Sequence, residues 1–558
     1  MKERLAIVLL LGAIVLVYAN TLWNGFTMDD ELYISTNPAV THVTEGELFR
    51  PNRVSNVFRP VTFATLALNW SVAREQPFGY HLVNLILHAG VTLLLYWVLQ
   101  TILGPLPETK TVALTAACLF AVHPIHTEAV ASIVGRAELL AAGFLLAAWL
   151  LHLLDQPLSA LLCFLLALLS KESAVVFLPL VLVGDCARGA QKPPTRYASI
   201  AGLTLLYLGL LWKVQGDRFG QAAISLLDNP LAQLPVGWRI LNALRVAWKY
   251  VGLQFYPATL SCDYSFNQIP MYRDWHHTLP AALAAVLALG AWTWAIRKQR
   301  RGWILAGGIY LAAFAATTNI LKSSGTIMGE RLAYLPSAGF CLLLALSWNW
   351  LRDRQRTVAV AILGVVLAAM GARTLVRNRD WKDNLTLYSA AVRTVPGSAK
   401  MHMDLGGAYM GRKQYELART ELQTALRILP DYPDALENYG LLESHLGNYQ
   451  AAGPWLERAL HMTMRDNPDY DFNAVNFAAV LMQTGHEDAA MELLNREIAA
   501  SPKYARAWSN RAVLRYKRGE MASARADAET ALLLDPGNAQ ARNVARLLNA
   551  SSPAGSFH

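Results

Sequence analysis

Charge and cysteine are both scarce in this chain. Of its 558 residues only 16% are Asp, Glu, Lys or Arg against 54% hydrophobic, and mean hydropathy is +0.27. That balance points away from a string of soluble domains and toward a membrane protein. Four of the five cysteines, Cys118, Cys163, Cys186 and Cys341, lie in or at the end of apolar runs, and Cys262 stands alone. Neither a disulfide framework nor a cysteine metal spacing can be read from them. The net charge of +9 would suit nucleic acid, yet no basic tract carries interleaved aromatics, so nucleic acid is not an expected partner. No glycine-rich phosphate loop stands out.

What the chain has is apolar runs. The opening "MKERLAIVLLLGAIVLVYAN" has the basic start and apolar centre of a signal peptide, but it reaches Ala19 and Asn20 without a small-x-small cleavage site and is expected to remain as a first span. Further candidate spans run roughly Leu82 to Leu103, Val112 to Val130, Ala137 to Leu154, Leu158 to Ser170, Ser173 to Asp185, Ala198 to Leu211, Leu279 to Ile296, Trp303 to Leu321, Ala333 to Trp350 and Val358 to Val376. With the first they make about eleven. The pair flanking Lys171 is short for full crossings and suits broken or re-entrant helices.

Basic loops set an expected orientation. Lys2 and Arg4, "RGAQKPPTR", "IRKQRR" and "RDRQR" are expected in the cytoplasm, because positive charge in short loops resists translocation. The count is consistent only if "RILNALRVAWKYVGLQFY" does not cross. With Arg239, Arg245, Trp248 and Lys249 at helical spacings, that segment suits an amphipathic helix on the outer surface. An odd total places the C-terminal part outside the cytoplasm, in a bacterial inner membrane or, for a eukaryotic source, the ER membrane.

From Pro396 the texture changes. Pro396 to Pro430, Pro468 to Pro502 and Pro502 to Pro536 are each 34 residues apart, and Pro430 to Pro468 is 38, one repeat plus an insertion of four. Leu405, Gly406, Tyr409, Ala418, Ala425 and Pro430 fall at tetratricopeptide spacing, and small residues recur at Ala418, Ala452, Ala490 and Ala524, where paired helices approach closely. The expected organisation is a membrane domain over 1–380 and a solenoid of about four repeats plus a capping helix over 381–558.

Polar groups gather at the expected outer span ends. Asp29, Asp30 and Glu31 follow span one. Elsewhere stand Arg59, then His81, Asn84 and His88, then His123, His126, Glu128, Arg136 and Glu138, then Lys171 and Glu172, and Lys322, Glu330, Arg331 and Tyr334. Charges among apolar segments are expensive and usually serve a site or a pathway. Each also has a plain reading: the histidines as packing residues, Glu128 with Arg136 as an internal ion pair, Glu330 with Arg331 as a loop clasp. The two histidines of "HPIH" make only half a metal site, with Pro124 breaking helical geometry and no third ligand close in sequence, so no metal site is assigned.

"MDDELYISTNPAV", "FRPVTFATLALNW", "GYHLVNLILHAG", "HPIHTEAVASIVGRAELLA", "LSKES" and "GERLAYLPSAGF", in that order and followed by tetratricopeptide repeats, resemble the TMTC family of transmembrane and tetratricopeptide-repeat O-mannosyltransferases. The resemblance covers nearly the whole chain, although about four repeats are fewer than the animal members carry. It implies an all-α fold, a polytopic GT-C glycosyltransferase domain of about eleven helices followed by an α-solenoid, with an active site facing the ER lumen or periplasm. It implies a sugar, mannose or another hexose, carried on a polyprenyl or dolichyl phosphate, and a Ser or Thr hydroxyl of an extracytoplasmic protein as acceptor. No cofactor beyond this lipid-linked donor is firmly expected.

A hydroxyl is a poor nucleophile near neutral pH, and the resemblance places its general base at Asp29 or Asp30, with Asp30 preferred. The leaving lipid phosphate needs fixed cations, for which Arg136, Lys171 and Arg331 are the candidates, with Arg59 behind them. His123, His126, Glu128, Glu138, Glu172 and Glu330 would support them. In the solenoid, aligning the repeats puts Asp404, Asn438, Asn476 and Asn510 at one helix position. They are either inter-repeat packing residues or a ladder for an acceptor polypeptide, since an amide offers donor and acceptor together. A similar asparagine ladder occurs in the O-GlcNAc transferase family. A membrane-anchored scaffold without catalysis, or a transporter, would use the same repeats or charges differently. Neither explains acids after span one together with cations at span ends.

Overall fold

The computed structural model describes residues 3–43, 45–50, 57–216, 224–320, 323–463 and 470–550. Lys2, Leu321, Lys322 and Pro468 of the sequence reading lie outside them. Among the described residues there are helices and no strands. The chain divides into two compact units, Met1–Ser398 and Ala399–His558.

In the first unit each of the eleven expected apolar segments contains helix among the described residues. Six are long and apolar enough to cross a membrane alone: Glu3–Trp23, Pro77–Leu103, Arg136–Leu153, Pro194–Gln215, Trp275–Arg297 and Arg356–Asp380. Pro107–Val122 and Pro124–Ala131 form a seventh only as one span bent by 52°. The expectation of eleven crossings is therefore not met by length. Pro157–Ser170, Phe177–Arg188, Arg301–Ala315 and Pro336–Arg352 have 14, 12, 15 and 17 residues, whereas about 20 residues at 1.5 Å each traverse the hydrocarbon. The unit is that of a multi-pass membrane protein whose helices include several short ones.

Proline defines where many of these helices begin. Pro60, Pro77, Pro107, Pro157, Pro194 and Pro336 each occupy the first helical position, where the missing N–H has no intrahelical partner to lose. Pro77–Leu103 packs against Pro107–Val122 and Arg136–Leu153, and the latter against Pro157–Ser170. Among the described residues of this unit, two helices of 14 or more residues lie outside the expected spans. Pro60–Ala73, within the first long loop, is a 14-residue helix. Val236–Phe255 is the expected amphipathic helix, with Asn242, Ala243, Val246, Tyr250 and Leu253 on its buried side.

The second unit pairs Ala399–Gly411 with Tyr415–Ile428, Pro433–His445 with Tyr449–Met462, Tyr470–Gln483 with Glu487–Ala500, and Ala505–Lys517 with Met521–Leu534. Ala539–Ala550 closes the stack through Ala541, Val544 and Leu548. Ala418, Ala452, Ala490 and Ala524 are fully buried, as their spacing implies. Gly440 marks a closer approach still: a Cβ there would meet Leu456 Cγ at 2.6 Å.

Gly440→Ala should therefore destabilise the repeats by about 1–3 kcal/mol through overpacking. Gly407→Ala, where a Cβ meets nothing within 4 Å, should stabilise by up to about 1 kcal/mol through helix propensity. Thermal melts followed by circular dichroism separate the two; equal shifts would mean that packing at Gly440 is not limiting.

Candidate active site

The first loop is held from three directions. Asp30 is fully buried at the start of the short helix Asp30–Tyr33. Its Oδ2 accepts from the Thr27 amide at 2.8 Å and the Thr27 hydroxyl at 3.4 Å, and its Oδ1 accepts from the Val134 amide at 3.1 Å. Burial nevertheless pushes its carboxyl up to about 7, against the pull of these bonds. The loop is also fastened to the end of the last long helix and the segment after it. The Gly25 amide donates to Lys382 O at 2.9 Å, Asn24 Nδ2 to Asn378 O at 3.1 Å, and the Met28 amide to Asn384 Oδ1 at 2.8 Å. Met28 holds a φ of 52°, a left-handed conformation uncommon for a residue with a side chain.

This clasp leaves Asp29 exposed and turns it into a pocket shared with Tyr33, Arg59, Phe63, Glu138, Lys171 and Arg331. Four of the residues expected to act together are thus neighbours here: Asp29, Arg59, Lys171 and Arg331. The preference for Asp30 as the base is corrected. Both of its oxygens are taken by the protein's own donors and it is shielded from solvent, whereas Asp29 faces the pocket.

Each pocket cation is paired. Arg59 grips Glu172 with Nε at 3.0 Å and Nη2 at 2.6 Å. Lys171 bonds Glu138, and burial pushes its ammonium down while Glu138 opposes that shift. Arg331 Nη1 reaches Glu128 Oε1 at 2.5 Å, its amide donates to Glu128 Oε2 at 2.9 Å, and the carboxylate pushes the guanidinium pKa up. Thr62 Oγ1 donates to Ser170 O at 2.9 Å, which joins the helix carrying Arg59 to the turn carrying Lys171. Of the three cations Arg331 is the most open, its side chain 33% exposed, against 19% for Arg59 and 7% for Lys171.

Arg136 is not a pocket cation, and its assignment to a donor phosphate is corrected. It is fully buried. Nε donates to Asn84 Oδ1 at 3.0 Å, Nη1 to Thr65 O at 3.1 Å and Asn69 Oδ1 at 2.6 Å, and Nη2 to Tyr80 O at 3.0 Å. Nor does it pair with Glu128, which holds Arg331. Asn84 in turn donates to Ser132 O at 3.0 Å, so Arg136 and Asn84 together fasten the turn that presents the Val134 amide to Asp30. Gly135 belongs to the same turn, where a Cβ would meet Ala129 O at 2.4 Å.

The supporting residues separate into two groups. Glu128, Glu138 and Glu172 hold pocket cations. Glu330 faces elsewhere, accepting from the Ser261 amide at 2.6 Å and Tyr264 OH at 2.8 Å, and burial pushes it up to about 7. His123 and His126 are fully buried packing residues: His123 Nε2 lies 3.1 Å from Gln254 O, and His126 Nε2 lies 2.7 Å from Ser337 Oγ. Among the described residues no cluster of three or more His, Cys, Asp or Glu could hold a metal ion.

In the repeats, each ladder asparagine donates an amide N–H to the preceding unit. Asn438 Nδ2 donates to Met403 Sδ at 3.1 Å, Asn476 Nδ2 to Glu437 Oε1 at 3.0 Å, and Asn510 Nδ2 to Val475 O at 3.2 Å. Each partner immediately precedes the equivalent ladder residue of the previous repeat. Asn476 Oδ1 also accepts from Arg506 at 3.1 Å. Asp404, at the start of the series, is half-buried. These bonds favour the inter-repeat packing reading of Asn438, Asn476 and Asn510 over the acceptor ladder, and Asp404 shares only their place in the repeat.

These features define a class: an all-α, multi-pass membrane protein with a charged pocket in its membrane unit and a tetratricopeptide solenoid. The tetratricopeptide repeat family model matches residues 370–433, 412–470 and 476–539. The curated homologues are TMTC-family protein O-mannosyl-transferases, which bears out the resemblance seen in the motifs. A Caenorhabditis elegans protein O-mannosyl-transferase is 29% identical over 76% of this chain and 63% of its own length. TMTC3 of Mus musculus is 27% identical over 96% of this chain and 64% of its own, and TMTC1 of Homo sapiens 28% identical over 78% and 56%. The chain thus spans less than two thirds of the length of these relatives.

Asp30→Ala should strand the Thr27 and Val134 amides and lower stability by about 2 kcal/mol or more. Asp29→Ala should leave the stability within about half a kcal/mol of wild type, as expected of an exposed side chain. Thermal unfolding of the detergent-solubilised chain checks both; equal loss in the two variants would contradict the buried-anchor role of Asp30.

Proposed function

We propose that the chain is an integral-membrane glycosyltransferase that moves a hexose, mannose by analogy with its relatives, from a polyprenyl-phosphate carrier to a Ser or Thr hydroxyl of an extracytoplasmic protein. The observation carrying this reading is the shared pocket of Asp29, Arg59, Lys171 and Arg331. The names of the curated relatives support it.

In this reading Asp29 accepts the proton of the acceptor hydroxyl as its oxygen attacks the anomeric carbon. The bond from that carbon to the phosphate oxygen breaks, and the polyprenyl phosphate leaves with the electron pair. Its growing charge is met by Arg331 first, whose Nε and Nη2 make no hydrogen bond among the described residues, and then by Arg59. Lys171 is the least exposed of the three and acts by holding Glu138. The basic loops favour placing the pocket and the solenoid outside the cytoplasm. The repeats would serve protein acceptors through surfaces other than the asparagine series.

Mass spectrometry of extracytoplasmic proteins from cells with and without the gene should show hexose on Ser or Thr only when the chain is present. In a transfer assay with a synthetic polyprenyl-phosphate sugar, Arg331→Gln should lower donor use about tenfold or more, the value of about one charge-assisted hydrogen bond. Identical glycoproteomes would overturn the assignment, and an unimpaired Arg331→Gln would remove that residue from the donor site.

A further inference from the structure

A second concave surface lies away from the pocket just described. The amphipathic helix Val236–Phe255 and the start of Trp275–Arg297 enclose a groove of about 470 Å³, lined by Arg245, Trp248, Lys249, His277 and Pro280 among others. Its size falls in the range of small-molecule sites. Its charge differs in kind from that of the pocket. There, Arg59, Lys171 and Arg331 each have a carboxylate partner. Here, among the described residues, neither Arg245 nor Lys249 has a carboxylate within ion-pair distance, and no carboxylate lines the groove. Arg245 is held by neutral groups, with Nη1 donating to Asn242 Oδ1 at 3.0 Å and Pro270 O at 2.9 Å and its guanidinium 4.3 Å from the Tyr272 ring. Lys249 lies over the Tyr264 ring at 5.1 Å. The nearest carboxylate, Asp274, is bonded to His277 at 2.8 Å and makes no ion pair with either cation, so two cations without a direct carboxylate partner leave an anion as the complementary occupant.

The surroundings say which anion. Trp275–Arg297 is apolar enough to cross a membrane, and only 11% of that apolar window is buried within the protein. Leu283, Val286 and Leu287 on it are 55, 65 and 73% exposed. Its first turn carries an exposed Trp275 paired with Trp238, and Trp248 Nε1 donates to Ala281 O at 3.0 Å. Tryptophans grouped at one end of a lipid-facing helix mark a bilayer boundary, the depth of a lipid headgroup. A ligand here would present a phosphate to Arg245 and Lys249 and lay its chains along the exposed leucines.

We infer that this groove binds the phosphodiester headgroup of an anionic phospholipid. The inference is independent of the sugar-transfer reading. It has a structural consequence for the other site, because Tyr250, on the same helix, accepts from the Gly329 amide at 2.9 Å and lies 3.0 Å from Gly329 O, just before Arg331. A lipid holding the amphipathic helix therefore steadies the turn that carries a pocket cation.

The full chain in nanodiscs of phosphatidylcholine with or without phosphatidylglycerol tests this, with retained lipid read by native mass spectrometry. Wild type should retain phosphatidylglycerol in preference to phosphatidylcholine. At about 1 kcal/mol per basic residue near a lipid surface, Arg245→Gln with Lys249→Gln should weaken retention about thirtyfold, and Lys249→Gln alone, which keeps the Arg245 bonds, about fivefold. Equal retention of the two lipids, or undiminished phosphatidylglycerol on the folded single variant, overturns the inference. So does displacement of the lipid by inorganic phosphate at comparable concentration, or selective retention of polyprenyl phosphate in its place.

Discussion

A carboxylate persists in a protein interior only where donors converge on it, and the site rests on one such group. Asp30 receives two backbone amides, one from its own loop and one from Val134, more than a hundred residues away. That second amide is in place because Asn84 and Arg136 bind the turn before it, and Arg136 in turn ties helices Pro60–Ala73 and Pro77–Leu103 to its own. Without this anchor the loop would keep its bonds to Asn378, Lys382 and Asn384 but lose its tie to the Val134 turn. The neighbouring Asp29 is the acid left exposed.

The same logic governs the cations. Near a membrane, a lone charge is costly and a paired one tolerable. Glu172, Glu138 and Glu128 fix the three pocket cations in orientation while neutralising much of their field. What distinguishes Arg331 is that Glu128 takes its Nη1 and its backbone amide while its side chain stays the most exposed of the three pocket cations. In the proposed reaction this geometry, more than net charge, suits it to a phosphate.

Periodicity made much of the fold legible in the sequence. The apolar runs, the 34-residue spacing of the prolines and the small residues at Ala418, Ala452, Ala490 and Ala524 each report a local repeat imposed by helix geometry. The number of crossings was less legible, since hydropathy marks a run as apolar without requiring it to reach across a bilayer. For the site, composition picked out the residues and could not separate their roles. Asp29 and Asp30 are adjacent and chemically alike; only the distant Val134 tells them apart. Arg136 reads as a cation in sequence and is a buried clamp because Asn84, Asn69, Thr65 and Tyr80 face it, an arrangement with no local signature. Asn84 in an apolar helix was the available hint, an amide that burial obliges to find partners. Asn384, which holds the Met28 amide, offered none.

In the proposed reaction Asp29, not Asp30, accepts the proton. The decisive comparison is the turnover of a polyprenyl-phosphate mannose and a serine peptide by Asp29→Asn and Asp30→Asn, each normalised to the folded fraction. Asp29→Asn should fold as wild type and lose about a hundredfold or more in kcat, the contribution of a positioned base, while folded Asp30→Asn retains measurable transfer. Wild-type turnover by Asp29→Asn would contradict the account.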